Sequence, residues 1–516
     1  AGTAISRTDG NAVLLSGKAV SLSAGSSIGS LGGAITASTG DLVLSAATGI
    51  TADALVATLG SIDVDSGAPV TITSLSAGSA VFVDAAGSIS LGTVNAGNGI
   101  VDLHATGAAS DITLGGSVTA TNTGLTATQP GIRAVAGRDL LLASTTDLTT
   151  LGSGGITLQA GRDVNLKVND GGNNGASNSL QAVGNLDITA GSGILQTDGN
   201  AVTATGANIG LAYASSLSST IGFSSSGTID ITQTSGDLVA TPFAAQSLAF
   251  HAPGGNVLFA GGSTFTGGPV SVSGAGSTVF GSGAVSFQTP LTSTMPLSVQ
   301  GATLSSSAAV TAPALSLSSG TASFQVAPAL GGVTQSGGTL SITTGVPYSI
   351  DTGTWTISGG QLNLPSAGSQ IASGATLSVA GGAVQFGAQL DVAGTLALSS
   401  GTLAGSGPIH NTGSVQKTGA GTFTLATVFD NAGTVSTSAG SLSLTGGGTH
   451  SGSFTTAAGA ITDFQGGTHS FADGVVFAGP GSFDGGGTLL LTGTTSGLEL
   501  GADTVTNLNA LNFGGT

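Results

Sequence analysis

The chain has no cysteine among its 516 residues, which excludes disulfides and thiolate metal sites and leaves the redox compartment open. Charge is almost as scarce: Asp, Glu, Lys and Arg together make up 6%, and glutamate occurs once, at Glu499. Amphipathic surface helices need Glu, Lys and Arg in quantity, so a helix-rich globular enzyme is excluded. Basic residues number 7 against 24 acidic ones, a net charge of −17. Such a chain repels a phosphate backbone and the anionic face of a membrane. No apolar run approaches the roughly 18 residues of a spanning helix. Neither nucleic acid nor membrane insertion is therefore expected. The start, Ala1-Gly2-Thr3-Ala4-Ile5-Ser6-Arg7, has neither an initiator Met nor a signal peptide's basic and apolar regions. The chain reads as a processed product or as an internal piece of something longer.

What is abundant is glycine, 90 residues, and apolar residues, 40%. Disorder is the natural rival for a Gly/Ser/Thr-rich chain, but disordered segments are poor in Val, Ile and Leu, and here those residues alternate. Ser336-Gly337-Gly338-Thr339-Leu340-Ser341-Ile342 returns as Ser358-Gly359-Gly360-Gln361-Leu362-Asn363-Leu364 and as Ala380-Gly381-Gly382-Ala383-Val384-Gln385-Phe386, each 22 residues after the last. Each copy joins a glycine turn to a short strand of period two. A period near twenty built from strands and turns predicts an all-β, parallel β-solenoid, in which every turn of chain lays its strands on those of the turn before.

The amino-terminal part writes the repeat differently. Ala136-Gly137-Arg138-Asp139-Leu140-Leu141-Leu142 recurs 24 residues later as Ala160-Gly161-Arg162-Asp163-Val164-Asn165-Leu166. Weaker copies begin at Gly40, Gly87, Gly184 and Gly236. Glycine is expected to supply the positive φ of a tight corner, and Asp or Asn to bond the turned backbone. These residues resemble the haemagglutinin-type repeats of filamentous haemagglutinin and related two-partner secretion exoproteins. That resemblance implies a right-handed parallel β-helix with about 19 to 24 residues per turn, exported through an outer-membrane barrel and displayed as a fibre. The family's Asn-Pro-Asn secretion motif is missing, since no Asn-Pro pair occurs. Absence of cysteine fits passage through a barrel unfolded.

In the carboxy-terminal half, Asn411-Thr412-Gly413-Ser414-Val415 repeats at Asn431-Ala432-Gly433-Thr434-Val435, and Gly447-Gly448-Thr449-His450-Ser451 returns at Gly466-Gly467-Thr468-His469-Ser470. These repeats resemble those of large autotransporter-like surface proteins. Of 18 Phe, 17 lie from Phe223 onward, and of 13 Pro, 11 lie from Pro242 onward. Three segments are expected: a haemagglutinin-repeat-like helix over 1–220, a Phe/Pro-enriched transition over 221–335, and a regular segment with 19- to 22-residue repeats over 336–516. The polar run 169–179 is expected to be a loop excursion, and Pro242, Pro253, Pro269, Pro290 and Pro296 are expected at turns. The stack would be on the order of 100 to 125 Å long at about 4.8 Å per turn.

Candidate sites are few. Asp63 and Asp65 share one face of a strand, as paired acids do in glycoside hydrolysis, but two carboxylates alone read as a solvated outer face. Asp139 and Asp163, beside Arg138 and Arg162, are expected to stack as an outward charge ladder. His450 and His469, with Asp463 or Asp473, suggest a metal site, which needs three or four convergent donors; a stacked pair on the surface is the plainer reading. Phe454, Phe464, Phe471, Phe477 and Phe483 suggest either a sugar-stacking strip or an internal stack, and the internal stack is expected. Gly25-Ser26-Ser27-Ile28-Gly29 fits the nucleophile-elbow pattern without its strand-to-helix context. No catalytic, cofactor or metal residue is assigned, and no cofactor is expected.

The expected function is a non-catalytic structural rod of a secreted filament, adhesive or matrix-forming, on the outer surface of a Gram-negative bacterium. Its partners would be itself, end to end or laterally, the rest of a longer chain, or a host-cell, neighbouring-cell or glycan surface. The alternatives are a polysaccharide-degrading enzyme on the same fold and the stalk of a toxin-delivery exoprotein. Because both ends fall inside repeat-like sequence, either the parent chain continues or subunits stack through open ends.

Overall fold

The computed structural model describes residues 4–6, 15–143, 145–168, 177–198 and 200–492, and the backbone of strands Glu499–Leu500, Val505–Leu508 and Leu511–Phe513. Among the described residues there is no helix. The strands pair in parallel, turn upon turn, into a β-solenoid of about 23 turns. The chain divides into two compact units. One comprises Ala1–Leu238 with Phe243–Gly255, and the other Val239–Pro242 with Asn256–Thr516.

The period-two pattern dictates the wall. Strand Ile62–Ser66 alternates buried and exposed residues, with Ile62 and Val64 inward and Asp63 and Asp65 outward. Longer strands wrap a corner without a loop. In Val70–Ala77 the inward pair Val70/Ile72 is followed by Leu75/Ala77, and the change of parity at Thr73 and Ser74 is the bend. In the second unit a turn uses three short strands, as in Ile409–Asn411, Ser414–Lys417 and Thr422–Leu425.

The sequence repeats are the register. Leu340 pairs with Leu362, and Leu362 with Val384. Ala136 lies opposite Ala160 and Leu140 opposite Val164. The copies at Gly40, Gly87 and Gly184 differ from expectation, because they mark corners on different faces rather than one position in the turn: Leu42–Ala46 and Leu186–Ala190 belong to one sheet and Ile89–Ala96 to another. Most steps are 19 to 24 residues, but Val101 pairs with Ile132 and Ile156 with Leu186, steps of 31 and 30. The first long step holds a loop beyond Asn122, closed on itself where Gly124 N donates to Asn122 Oδ1 (2.8 Å) and Thr126 N to Gln129 Oε1 (2.9 Å). In the second, 169–176 lie outside the described residues, while Asn178 and Ser179 are already in strand Asn178–Gln181. The five prolines fall outside strands as expected, and Pro130 opens its strand at a register shift.

Glycine has two distinct jobs. Gly338 and Gly360 have φ of 67° and 70°, the left-handed corner that a Cβ disfavours. Elsewhere the need is close approach. A Cβ on Gly161 would lie 2.2 Å from Gly137 O, and one on Gly191 2.0 Å from Gly161 O. In the second unit the same holds for Gly413, Gly433 and Gly452, whose Cβ atoms would lie 2.3, 2.3 and 2.1 Å from the carbonyl oxygens of Gly394, Gly413 and Gly433. Successive turns touch backbone to backbone along these glycine files.

Most of the aromatics lie in the second unit's core. Phe259 stacks on Phe280 (centroids 5.1 Å apart) and Phe265 on Phe287 (4.9 Å). Trp355, the sole tryptophan, is fully buried beside Tyr348.

Candidate functional site

Asp63 and Asp65 occupy the open outer face of their strand. The next turns extend them into two files, Asp63–Phe82–Asp102–Arg133 and Asp65–Asp84–His104. His104 bridges the files, with Nδ1 3.4 Å from Asp84 Oδ1 and Nε2 3.2 Å from Asp102 Oδ1, and Arg133 Nη1 lies 3.3 Å from the same Asp102 oxygen. Partial burial, then repulsion from Asp84, Asp65 and Asp41, pushes the Asp63 carboxyl above the usual range. Acid–base catalysis gains from a site that excludes water, which an outward strand face does not provide.

Asp139 and Asp163 do stack beside their arginines, but the ladder runs between turns and is not wholly outward. Arg138 Nε donates to Asp111 Oδ1 (2.7 Å) and Arg162 Nε to Asp139 Oδ1 (2.8 Å), and each Nη2 donates to the second oxygen of the same carboxylate. Each aspartate then accepts a backbone N–H from the following turn: Asp139 N to Asp111 Oδ1 and Asp163 N to Asp139 Oδ1, both 3.2 Å, and Gly193 N to Asp163 Oδ1, 3.0 Å. Asp139 is only 7% exposed at its side chain. The hydrogen bond from Arg138 is the main reason the Asp111 carboxyl lies below the usual carboxylate range. These bidentate forks are clasps between successive turns. Asp139→Ala is expected to destabilise the first unit by about 2 kcal/mol in urea melts, whereas Asp65→Ala, on the open face, should change it by less than about 0.5 kcal/mol.

His450 and His469 depart from the surface reading. The repeat would set them opposite each other, but the turn between them takes 21 residues, so that His450 faces Phe471 and Gly448 faces His469. A slip of two residues preserves which face a side chain occupies, and that face is the core. Both rings are buried, at 1% and 0% exposure. They stack with centroids 5.2 Å apart, and His450 Nε2 lies 2.9 Å from His469 Nδ1. His469 Nε2 lies 3.3 Å from Leu444 O, a pure acceptor, so that nitrogen carries the proton and His450 Nε2 donates to His469 Nδ1. His450 Nδ1 is left as a buried acceptor without a partner. Burial above all, and then His469, pushes His450 down to about 3, and burial lowers His469 as well. With three of the four ring nitrogens in this chain of bonds, the pair does not converge on a metal. Among the described residues no group of three or more His, Asp or Glu side chains is placed to hold one. Phe454, Phe464, Phe471, Phe477 and Phe483 are all buried and pack around the histidines and one another, an internal stack rather than a sugar platform.

Three features were not found by motif reading. Lys167 and Asp198 form a fully buried ion pair, Nζ to Oδ2 3.1 Å, and Gln196 Nε2 and Asn200 N also donate to Asp198 Oδ1, at 2.8 Å each. Lys417 is also fully buried. It donates to the carbonyls of Gly419 and Ala439, and burial lowers its affinity for the proton. The third is a cleft of about 350 Å³ beside His410 and Asp430, with His410 Nδ1 3.1 Å from Asp430 Oδ2. Thr449 N and Oγ1 donate to Asp430 Oδ1 at 2.7 and 2.8 Å.

Comparison with family models, curated proteins and solved structures gives no match. The chain's function therefore has to be argued from these geometries. Two are chemically suggestive, the His104 cluster and the His410 cleft. The first is an open face on which Asp84 and Asp102 are held by His104 and Arg133; the second is concave.

Proposed function

We propose that the chain is a structural, non-catalytic component of a secreted filament, adhesive or matrix-forming, displayed on the outer surface of a Gram-negative bacterium as its resemblance to filamentous haemagglutinin-type repeats implies. The observation that carries this reading is that the stabilising contacts run from each turn to the next: parallel ladders, glycine files and Arg–Asp clasps. Such a chain resists extension along its axis, and Arg138 and Arg162 are spent on holding successive turns together. The carboxylates at Asp63 and Asp65 lie on an open face and those at Asp111 and Asp139 are held by arginine, so none of these four is set as the acid–base pair of a polysaccharide-degrading enzyme. The test is negative-stain electron microscopy of native material, paired with intact-mass measurement of the chain. Fibres are the expected result. Discrete particles that release oligosaccharides from polysaccharide would sink the reading.

A further inference from the structure

The cleft beside His410 is built from two files of side chains in the second unit. Strands Ile409–Asn411, Phe429–Asn431, Gly448–His450 and Thr468–Phe471 pair in succession and present His410, Asp430, Thr449 and Ser470 outward. Just past each strand, the backbone ladder continues through Thr412, Ala432, Ser451 and Ala472, each N–H donating to a carbonyl one turn back. Both files line the cleft, so it runs along the axis across four turns, roughly 15 to 19 Å at the spacing of parallel strands. His410 and Asp430 remain 40% and 27% exposed at its wall.

The chemistry of the wall is specific. With His410 Nδ1 on Asp430, Nε2 is the ring nitrogen left for a ligand. Asp430 already accepts three hydrogen bonds, two from Thr449 on Oδ1 and one from His410 on Oδ2, which leaves Oδ2 one further acceptor site. Ser451 and Ser470 add hydroxyls, while Ala432 and Ala472 add small apolar surface. No Lys or Arg faces the cleft from this unit, since Lys417 is the only one it has and is fully buried. A volume of about 350 Å³ lies at the lower end of small-molecule sites.

We propose that this axial cleft binds an extended neutral saccharide. Sugar C–H faces lie on Ala432 and Ala472, one hydroxyl hydrogen-bonds to His410 Nε2, and others exchange hydrogen bonds with Ser451 and Ser470. Uronates and sulfated sugars are disfavoured, finding no Lys or Arg and meeting Asp430. The assignment supplies a ligand class for the adhesive reading but does not depend on fibre formation.

The test is isothermal titration of the full chain with cellohexaose, laminarihexaose and chitohexaose, with polygalacturonate as the anionic comparison. Saturable binding of at least one neutral hexasaccharide is expected, insensitive to salt. His410→Ala should weaken it roughly tenfold, the loss of one good hydrogen bond. Ala432→Leu should weaken it at least as much by filling the cleft, and both positions are exposed enough for circular dichroism to show an unchanged fold. Absence of binding by all three neutral sugars, binding that neither variant alters, or preference for polygalacturonate overturns the assignment. Fibres without sugar binding would overturn the cleft alone, and sugar binding by discrete particles would overturn the filament alone.

Discussion

Acidification from pH 7 to 4.5 is expected to loosen the turns around residues 444–472, with the loss centred on His450 and His469. The folded state holds His450 near 3, against 6.5 for the free side chain. Between those values the unfolded chain binds a proton that the folded chain refuses, so stability is complete above pH 6.5 and falls as pH drops toward 3. The slope is about 1.4 kcal/mol per pH unit for one such group, giving roughly 3 kcal/mol at pH 4.5, and His469, lowered in the same sense, adds to it. Asp430 works against the shift at His450. Asp463, whose carboxyl is raised chiefly by burial, has the opposite sign: its penalty is relieved as pH falls through its folded-state value. Amide exchange read on peptides from 444–472 should show protection falling between pH 6.5 and 4.5 after correction for intrinsic rates. The double variant His450→Asn/His469→Leu should flatten that slope whatever its stability at pH 7. An equal slope in the variant would refute the assignment.

Replacing one stacked glycine should be as damaging. Gly433→Ala places a methyl 2.3 Å from Gly413 O and 2.8 Å from Thr412 C. Both are backbone atoms of the turn before, held in register from Ser414 to Lys417 by the ladder with Thr434–Thr437. Neither turn can yield without breaking that ladder, so the cost should be at least about 3 kcal/mol, at the top of what overpacking usually exacts. Gly421→Ala is the control. A Cβ there meets nothing within 4 Å, and the unfolded chain loses freedom, so a neutral or slightly stabilising change is expected. Urea midpoints followed by Trp355 fluorescence for the second unit compare the two directly, and similar midpoints would show that backbone contact does not enforce glycine at Gly433.

The fold was legible because the solenoid repeats its physics. Leu340, Leu362 and Val384 recur at a fixed interval, and the structure lays each on the last. The reason for glycine was only half legible. A corner with positive φ at Gly360 can be inferred from a Gly-Gly turn, but the approach of Gly161 to Gly137 depends on a neighbour 24 residues away, which no local signal reports. The His pair was visible as a repeat, yet its face was misjudged. Alternation with Phe471, two residues after His469, already places that histidine inward. The same parity sets Lys417 beside Val415 on the core side of strand Ser414–Lys417. The long steps after Val101 and Ile156 were not fixed by spacing, because an inserted loop leaves the flanking strands free to keep their register.

The two buried lysines have a consequence for attack by proteases. Trypsin-like enzymes cut only after Lys or Arg, and the last such residue along the chain with an exposed side chain is Arg162, at 58%. Beyond it stand only Lys167 and Lys417, both fully buried. Everything after Arg162 therefore offers a trypsin-like protease no reachable cleavage point until a turn opens. A protein in a protease-rich setting would gain durability from keeping its basic residues few and hidden, with no cysteine to form a disulfide.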